Sequence, residues 1–141
     1  MSEENAQQLM KQMQMLETYF EDLSHREETL YSILREAAAA IQSIKSLGQK
    51  SESESLVPIG MGTFVKAKIL SGDNIVMNIG AGISLEKDPI SAINFLEARI
   101  KEIEVAIQDT FAKKQDAAAQ LEQGKSQINQ LMQTESQRKS G

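Results

Sequence analysis

The stretch LVPIGMGTFVKAKILSGDNIVMNIGAGISLEK, residues 56–87, decides the fold. It alternates at period two and is punctuated by Gly60-Met61-Gly62, Ser71-Gly72-Asp73-Asn74 and Gly80-Ala81-Gly82. Short strands joined as two β-hairpins fit that spacing. Val65, Ala67 and Ile69 share one face, as do Ile75, Met77 and Ile79, while Lys66, Lys68 and Asn78 face the other way. One sheet face is therefore expected to be buried. Ile59-Gly60-Met61-Gly62 and Ile79-Gly80-Ala81-Gly82 form a weak internal repeat, the same hairpin corner used twice.

On either side the period changes. Upstream, Leu9, Met13, Leu16, Phe20, Leu23, Glu27, Leu30, Leu34, Ala37, Ile41 and Ile44 recur at alternating four- and three-residue steps. Downstream, Ile93, Leu96, Ile100, Ile103, Ile107, Thr110, Lys114, Ala117, Leu121, Gly124, Ile128 and Leu131 do the same. The first helix is expected from Ala6 to Leu47, with Gly48 as a left-handed terminator and residues 49–55 as a flexible polar link. The second starts with Asp88 as N-cap and Pro89 in the first turn. Gly124 costs it about 1 kcal/mol relative to Ala, and the tail from Gln137 is expected to fray. The chain divides into an N-terminal coiled-coil helix (1–48), a linker with two hairpins (49–87) and a C-terminal coiled-coil helix with a frayed tail (88–141). The fold class is α+β, an antiparallel two-helix coiled coil with hairpins between its helices.

An antiparallel pairing makes the residue numbers in each layer sum to a constant. With Ile44 opposite Ile93, Leu9 meets Ile128, Leu16 meets Leu121, Phe20 meets Ala117, Leu30 meets Ile107 and Leu34 meets Ile103. Glu27 meets Thr110, with Lys114 one turn away, and the three are read as one polar layer that fixes register.

The composition is that of a coiled coil: no Trp, 4% aromatic residues and a net charge of −5 in 141 residues. Basic residues are dispersed among acidic ones, which argues against a nucleic-acid partner. No apolar run approaches the ~20 residues needed to span a bilayer, and MSEENAQQ lacks a signal-peptide pattern, so no membrane partner and a cytoplasmic location are expected. The absence of cysteine removes disulfides and thiolate metal sites. His25 falls on the solvent side of its helix without a second ligand, and neither Gly-x-Gly completes a phosphate-binding loop, so no catalytic residue, metal or cofactor is assigned. A two-helix coil with small hairpins also offers no concave pocket for an enzyme.

Two hairpins bury too little surface to stand alone, and their edges stay unpaired. The β block is therefore an assembly device donating strands to a sheet or barrel shared with other chains. Phe95, off the seam, is expected to pack beneath it. Near the termini, Met10, Met13, Met15, Leu16, Ile128, Leu131 and Met132 place more apolar surface than a two-stranded seam covers. Methionine suits a surface that repacks against different apolar partners.

Leu56-Val57-Pro58-Ile59-Gly60, Thr63-Phe64-Val65-Lys66-Ala67-Lys68-Ile69 and Ile79-Gly80-Ala81-Gly82-Ile83-Ser84-Leu85-Glu86-Lys87 resemble the α-type subunits of archaeal prefoldin. The layout helix, two hairpins, helix is similar along nearly the whole chain, and two hairpins match the α type because β-type subunits carry one. The resemblance implies a hexameric chaperone of two α and four β subunits, with the hairpins joined in an intersubunit β-barrel platform. It further implies that coiled-coil tips hold non-native client proteins without ATP and pass them to a group II chaperonin. Val57, Ile59, Val65, Ile69, Val76, Ile79, Ile83 and Leu85 correspond to the assembly block. Leu9, Met10, Met13, Met15, Leu16, Ile128, Leu131 and Met132 correspond to the tips by location. The competing function is a structural spacer or tether that multimerises through its hairpins.

Overall fold

The computed structural model describes residues 3–140, the side chains of residues 139 and 140 excepted. The first two residues of the amino-terminal stretch and Gly141 of the expected tail lie outside the described residues. The element order is α1 (Glu3–Leu47), β1 (Glu52–Gly60), β2 (Thr63–Leu70), β3 (Ile75–Gly80), β4 (Ile83–Lys87) and α2 (Pro89–Ser140). No helix among the described residues is long and apolar enough to cross a membrane. The chain forms two compact units, Met1–Tyr31 with Val105–Gly141, and Ser32–Glu104.

In the first unit every expected seam position is buried or half-buried, because apolar side chains spaced by alternating threes and fours stay on one stripe of each helix. The register is carried by close packing. Met13 is 7% exposed, and its Sδ lies where a Cβ on Gly124 would sit. The glycine that weakens helix propensity is thus the socket for the methionine that the predicted register places opposite it. Cysteines replacing Leu16 and Leu121 are expected to form an intrachain disulfide on mild oxidation, read as a mobility shift reversed by dithiothreitol. Failure to crosslink would reject the register.

The polar layer forms, and its bonds divide between the helices. Thr110, 1% exposed, donates its hydroxyl proton to the Ala106 carbonyl, 2.8 Å away and one turn back on its own helix. The cross-helix partner of Glu27 is Lys114, with Nζ 3.3 Å from Oε1. Lys114 Nζ also lies 5.2 Å from the centre of the Phe20 ring. A buried threonine satisfies its hydroxyl locally, which leaves the carboxylate to the longer lysine.

In the second unit β1 pairs with β2 and β3 with β4, as two separate antiparallel hairpins. Both hairpin corners are two-residue turns with positive φ at both central residues: Met61 (48°) and Gly62 (73°), Ala81 (53°) and Gly82 (73°). That geometry matches the right-handed strand twist, and glycine at the second place adopts it without a Cβ clash. Four features depart from the sequence reading. The link expected over 49–55 is partly strand, since Glu52 pairs with Leu70, Ser53 with Ile69, Glu54 with Lys68 and Ser55 with Ala67. Opposite charges support this extension, with Lys66 Nζ 3.7 Å from Glu54 and Lys68 Nζ 4.0 Å from Glu52. Gly48 is not left-handed: α1 closes through N–H groups of Gly48 and Gln49 bonding the carbonyls of Lys45 and Ser46, each at 3.2 Å. These shorter-span bonds tighten the last turn and satisfy its free acceptors without a left-handed residue. The helices are also longer than read, α1 starting at Glu3 and α2 continuing through Ser140, because nothing at either end forbids helical dihedrals.

The α2 start agrees with expectation. Asp88 Oδ1 accepts from the Ser91 N–H at 2.7 Å, and Oδ2 accepts from the Ser91 hydroxyl at 3.1 Å. These bonds, the backbone one first, hold the carboxyl below its ordinary pKa. The stabilisation is complete above the unfolded Asp pKa of about 3.9 and is lost as pH falls through the depressed folded value. Asp88→Ala is expected to lower the melting temperature at pH 7 but much less at pH 2, whereas Asp88→Ser, which keeps an acceptor, recovers most of the loss. Equal losses at both pH values would show that the cap is not the cause.

Candidate functional site

Apolar surface collects at two places, one in each unit. In the first unit it lies where α1 and α2 carry the chain termini. Leu9, Leu16, Ile128 and Leu131 are half-buried seam residues, and Met13 is buried, so Met13 departs from the expectation that it offers free surface. Met10 (55% exposed), Met15 (71%) and Met132 (65%) supply that surface instead. Met10 and Met132 each follow a seam leucine and so project from the same flank of the coil. There they line a cavity of about 290 Å³ with Ala6, Ile128 and Leu131, and with Thr134, Glu135 and Arg138.

The flank formed by residues preceding seam positions is different. Gln12, Gln120 and Gln127 stand there beside Leu9, Met13 and Leu16, lining a cavity of about 320 Å³. Met10 and Met132 thus give one flank of the coil end its cavity, while the other flank sets these glutamines beside the exposed Met15. Methionine offers soft, adaptable apolar surface, whereas glutamine loses hydrogen bonds to water if an apolar group covers it. Ala6 is a lining residue that the seam assignment missed, although it lies three residues before Leu9 and half-buried, in phase with the heptad. Tyr31 (42% exposed) and Phe111 (53%) follow seam residues on the methionine side too, and were not singled out by sequence. Exposed aromatics leave no trace in a pattern read for seam positions alone.

In the second unit the hairpins are covered at their bases and open at their corners. Ser53, Ser55, Ala67, Ile69, Ile75 and Met77 are half-buried. Ile44, Leu47 and Pro89 from the helix ends share a cavity of about 350 Å³ with Ile69 and Ile75. Phe95 is half-buried, with Lys87 Nζ 5.5 Å from its ring centre, which places it under the end of β4. Ala92 is fully buried in the first turn of α2 although it lies off the seam.

Of the strand residues assigned to assembly, Ile69 is half-buried, while Val57, Ile59, Val65, Val76, Ile79, Ile83 and Leu85 are exposed, from 39% at Ile79 to 68% at Ile59. The expectation of one apolar face needs correction at β1 and β2. Val57 faces Val65 on one side, while Pro58 faces Phe64 and Leu56 faces Lys66 on the other. Leu56 (59%) and Phe64 (55%) are as exposed as the valines, so this hairpin carries apolar groups on both faces near its corner. His25 is exposed, with Nδ1 4.0 Å from Glu28 Oε2.

A family model described as Prefoldin subunit matches residues 2–138 of the chain. Prefoldin subunit alpha of Nitrosopumilus maritimus (strain SCM1) is 68% identical over 133 residues, covering 94% of this chain and 92% of that one. Prefoldin subunit alpha of Methanospirillum hungatei is 30% identical over 129 residues, covering 86% of each. Among solved structures, filamentous PFD from Methanocaldococcus jannaschii superimposes with a TM-score of 0.68 at 22% identity, over 80% of this chain and 94% of that one. The prefoldin beta subunit from Thermococcus strain KS-1 gives 0.64 at 14% identity, over 90% and 91%. At these identities the two structures speak for the fold.

Proposed function

This chain belongs to the prefoldin family as an archaeal alpha-type chaperone subunit, and from that premise we propose that it is an ATP-independent holdase subunit that grips non-native proteins at the termini-bearing end of its coil. The observation that carries the reading is the methionine flank: Met10 and Met132, both more than half exposed, line one apolar cavity from opposite helices. A cavity of about 290 Å³ takes one or two large side chains, so a single tip binds weakly. Strength comes from several tips on one platform, which raises the effective concentration of each for an already tethered client. Weak individual grips let go one at a time, which suits transfer to a group II chaperonin.

The hairpins supply the platform in this proposal. Their exposed apolar corners and unpaired strand edges pair with beta-type subunits, in an assembly of two alpha and four beta chains closed as a barrel. Open edges favour such pairing because each backbone N–H and C=O there lacks a partner.

The test is light scattering of a chemically unfolded protein diluted into nucleotide-free buffer with this chain assembled with beta-type subunits. The assembly is expected to suppress aggregation, and removing residues 2–16 and 121–141 from this chain is expected to weaken suppression while sedimentation shows an intact oligomer. An intact assembly that suppresses nothing would leave a spacer or tether. Unchanged suppression after truncation would move the grip to the partner subunits or the hairpins.

A further inference from the structure

The chain has seven methionines and no cysteine, so its thioethers meet oxidants without a thiol in the same chain to intercept them. Their surroundings differ sharply. Met13 is 7% exposed, its sulfur seated against Gly124, whereas Met10 and Met132 are 55% and 65% exposed and line the same cavity. The sulfur of Met13 is in the seam and those of Met10 and Met132 are beside it, while the exposed Met15 and Met61 lie outside this cavity. Oxidation of the open pair therefore changes the flank without unseating the coil.

We infer that Met10 and Met132 form a reversible oxidation site through which a peroxide-class oxidant switches off client binding, an inference that rests on the tip-binding function proposed above. A lone pair on the thioether sulfur attacks one peroxide oxygen, the O–O bond breaks, an S–O bond forms and the other oxygen leaves as water. The sulfur is oxidised by two electrons and the peroxide is reduced by two. In the return step a dithiol supplies two electrons, becomes a disulfide, and the sulfoxide oxygen leaves as water. The sulfoxide is a polar acceptor. Covering it with an apolar client side chain strips its water and returns no hydrogen bond, so the cavity wall stops favouring apolar groups. Both methionines line one cavity, so two parts of its lining are converted.

The test treats the assembly with beta-type subunits with hydrogen peroxide and follows each methionine by peptide mass spectrometry. Met10 and Met132 are expected to oxidise about tenfold or more faster than Met13. The oxidised assembly keeps its sedimentation coefficient but needs about tenfold more protein for the same suppression of aggregation, and methionine sulfoxide reductases A and B together restore it. An assembly carrying Met10→Leu and Met132→Leu, compared with its own untreated state, keeps its suppression after peroxide. Three results would overturn the inference: Met13 oxidising as fast as Met10, full suppression with both sulfoxides formed, or equal loss in the wild-type and leucine assemblies. An untreated wild-type assembly that suppresses nothing refutes the tip-binding reading itself, a separate outcome that removes the inference with it.

Discussion

Val57→Asp and Val65→Asp introduced together are expected to abolish assembly with beta-type subunits while leaving the isolated chain helical. The two valines are directly opposite in the β1–β2 ladder and are 43% and 49% exposed in the single chain. Little internal packing is lost on substitution, so the chain's own fold tolerates the change. The facing carboxylates already repel across the chain's own ladder, weakly while water screens them, and in an intersubunit sheet the effect becomes severe because both must lose that water. Losing the burial of two valines and desolvating two charges costs roughly 5 kcal/mol per copy, or three to four powers of ten in association. Sedimentation velocity of the mixed subunits reads the result, with far-ultraviolet circular dichroism as the control. A full-size assembly containing the doubly substituted chain would show that this face is not part of the platform.

The second large effect is expected at Lys114. Its ammonium pairs with Glu27 at 3.3 Å, both side chains being 21% exposed, and lies over the Phe20 ring. Lys114→Ala removes the ion pair and the cation–π contact and leaves the Glu27 carboxylate largely shielded from water with no counter-charge. For a partly buried pair the expected loss is about 2 kcal/mol, below the 3–5 kcal/mol typical of complete burial. Glu27→Leu with Lys114→Leu is expected to recover that loss or exceed it, since an apolar layer carries no desolvation penalty. Urea unfolding of Glu27→Leu, Lys114→Leu and the double variant as a mutant cycle separates the coupling from each side chain's own contribution. Additive losses with no coupling would mean that the pair contributes nothing as a pair. The double variant is also expected to lose register specificity, read as reduced Leu16-to-Leu121 cysteine crosslinking, because an all-apolar seam no longer marks one alignment.

Much of this was legible from periodicity because the physics is local and repetitive. A three-four spacing puts Leu9 through Ile44 on one stripe, and every one of those positions is withdrawn from solvent. The corner pairs Met61-Gly62 and Ala81-Gly82 were readable as turns because they ask for positive φ, which glycine adopts freely. The departures arise where a residue's role depends on a partner far away in sequence. Residues 52–55 look like a polar link by composition, but backbone pairing with Ala67, Lys68, Ile69 and Leu70 makes strand of them, with the ammonium groups of Lys66 and Lys68 near Glu54 and Glu52. Gly124 looks like a flaw until Met13 is seated against it.

The sequence by itself determined the succession of helix, two hairpins and helix, the antiparallel register and the N-cap at Asp88, since each follows from spacing or from a side chain bonding its immediate neighbours. Only the tertiary structure decided which apolar residues remain free. Met10, Met13 and Met132 are chemically identical, yet a side chain's exposure is set by what the other helix places opposite it. Glycine opposite Met13 leaves room for that sulfur inside the seam, whereas Met10 and Met132, one residue off the seam, line a cavity open to solvent.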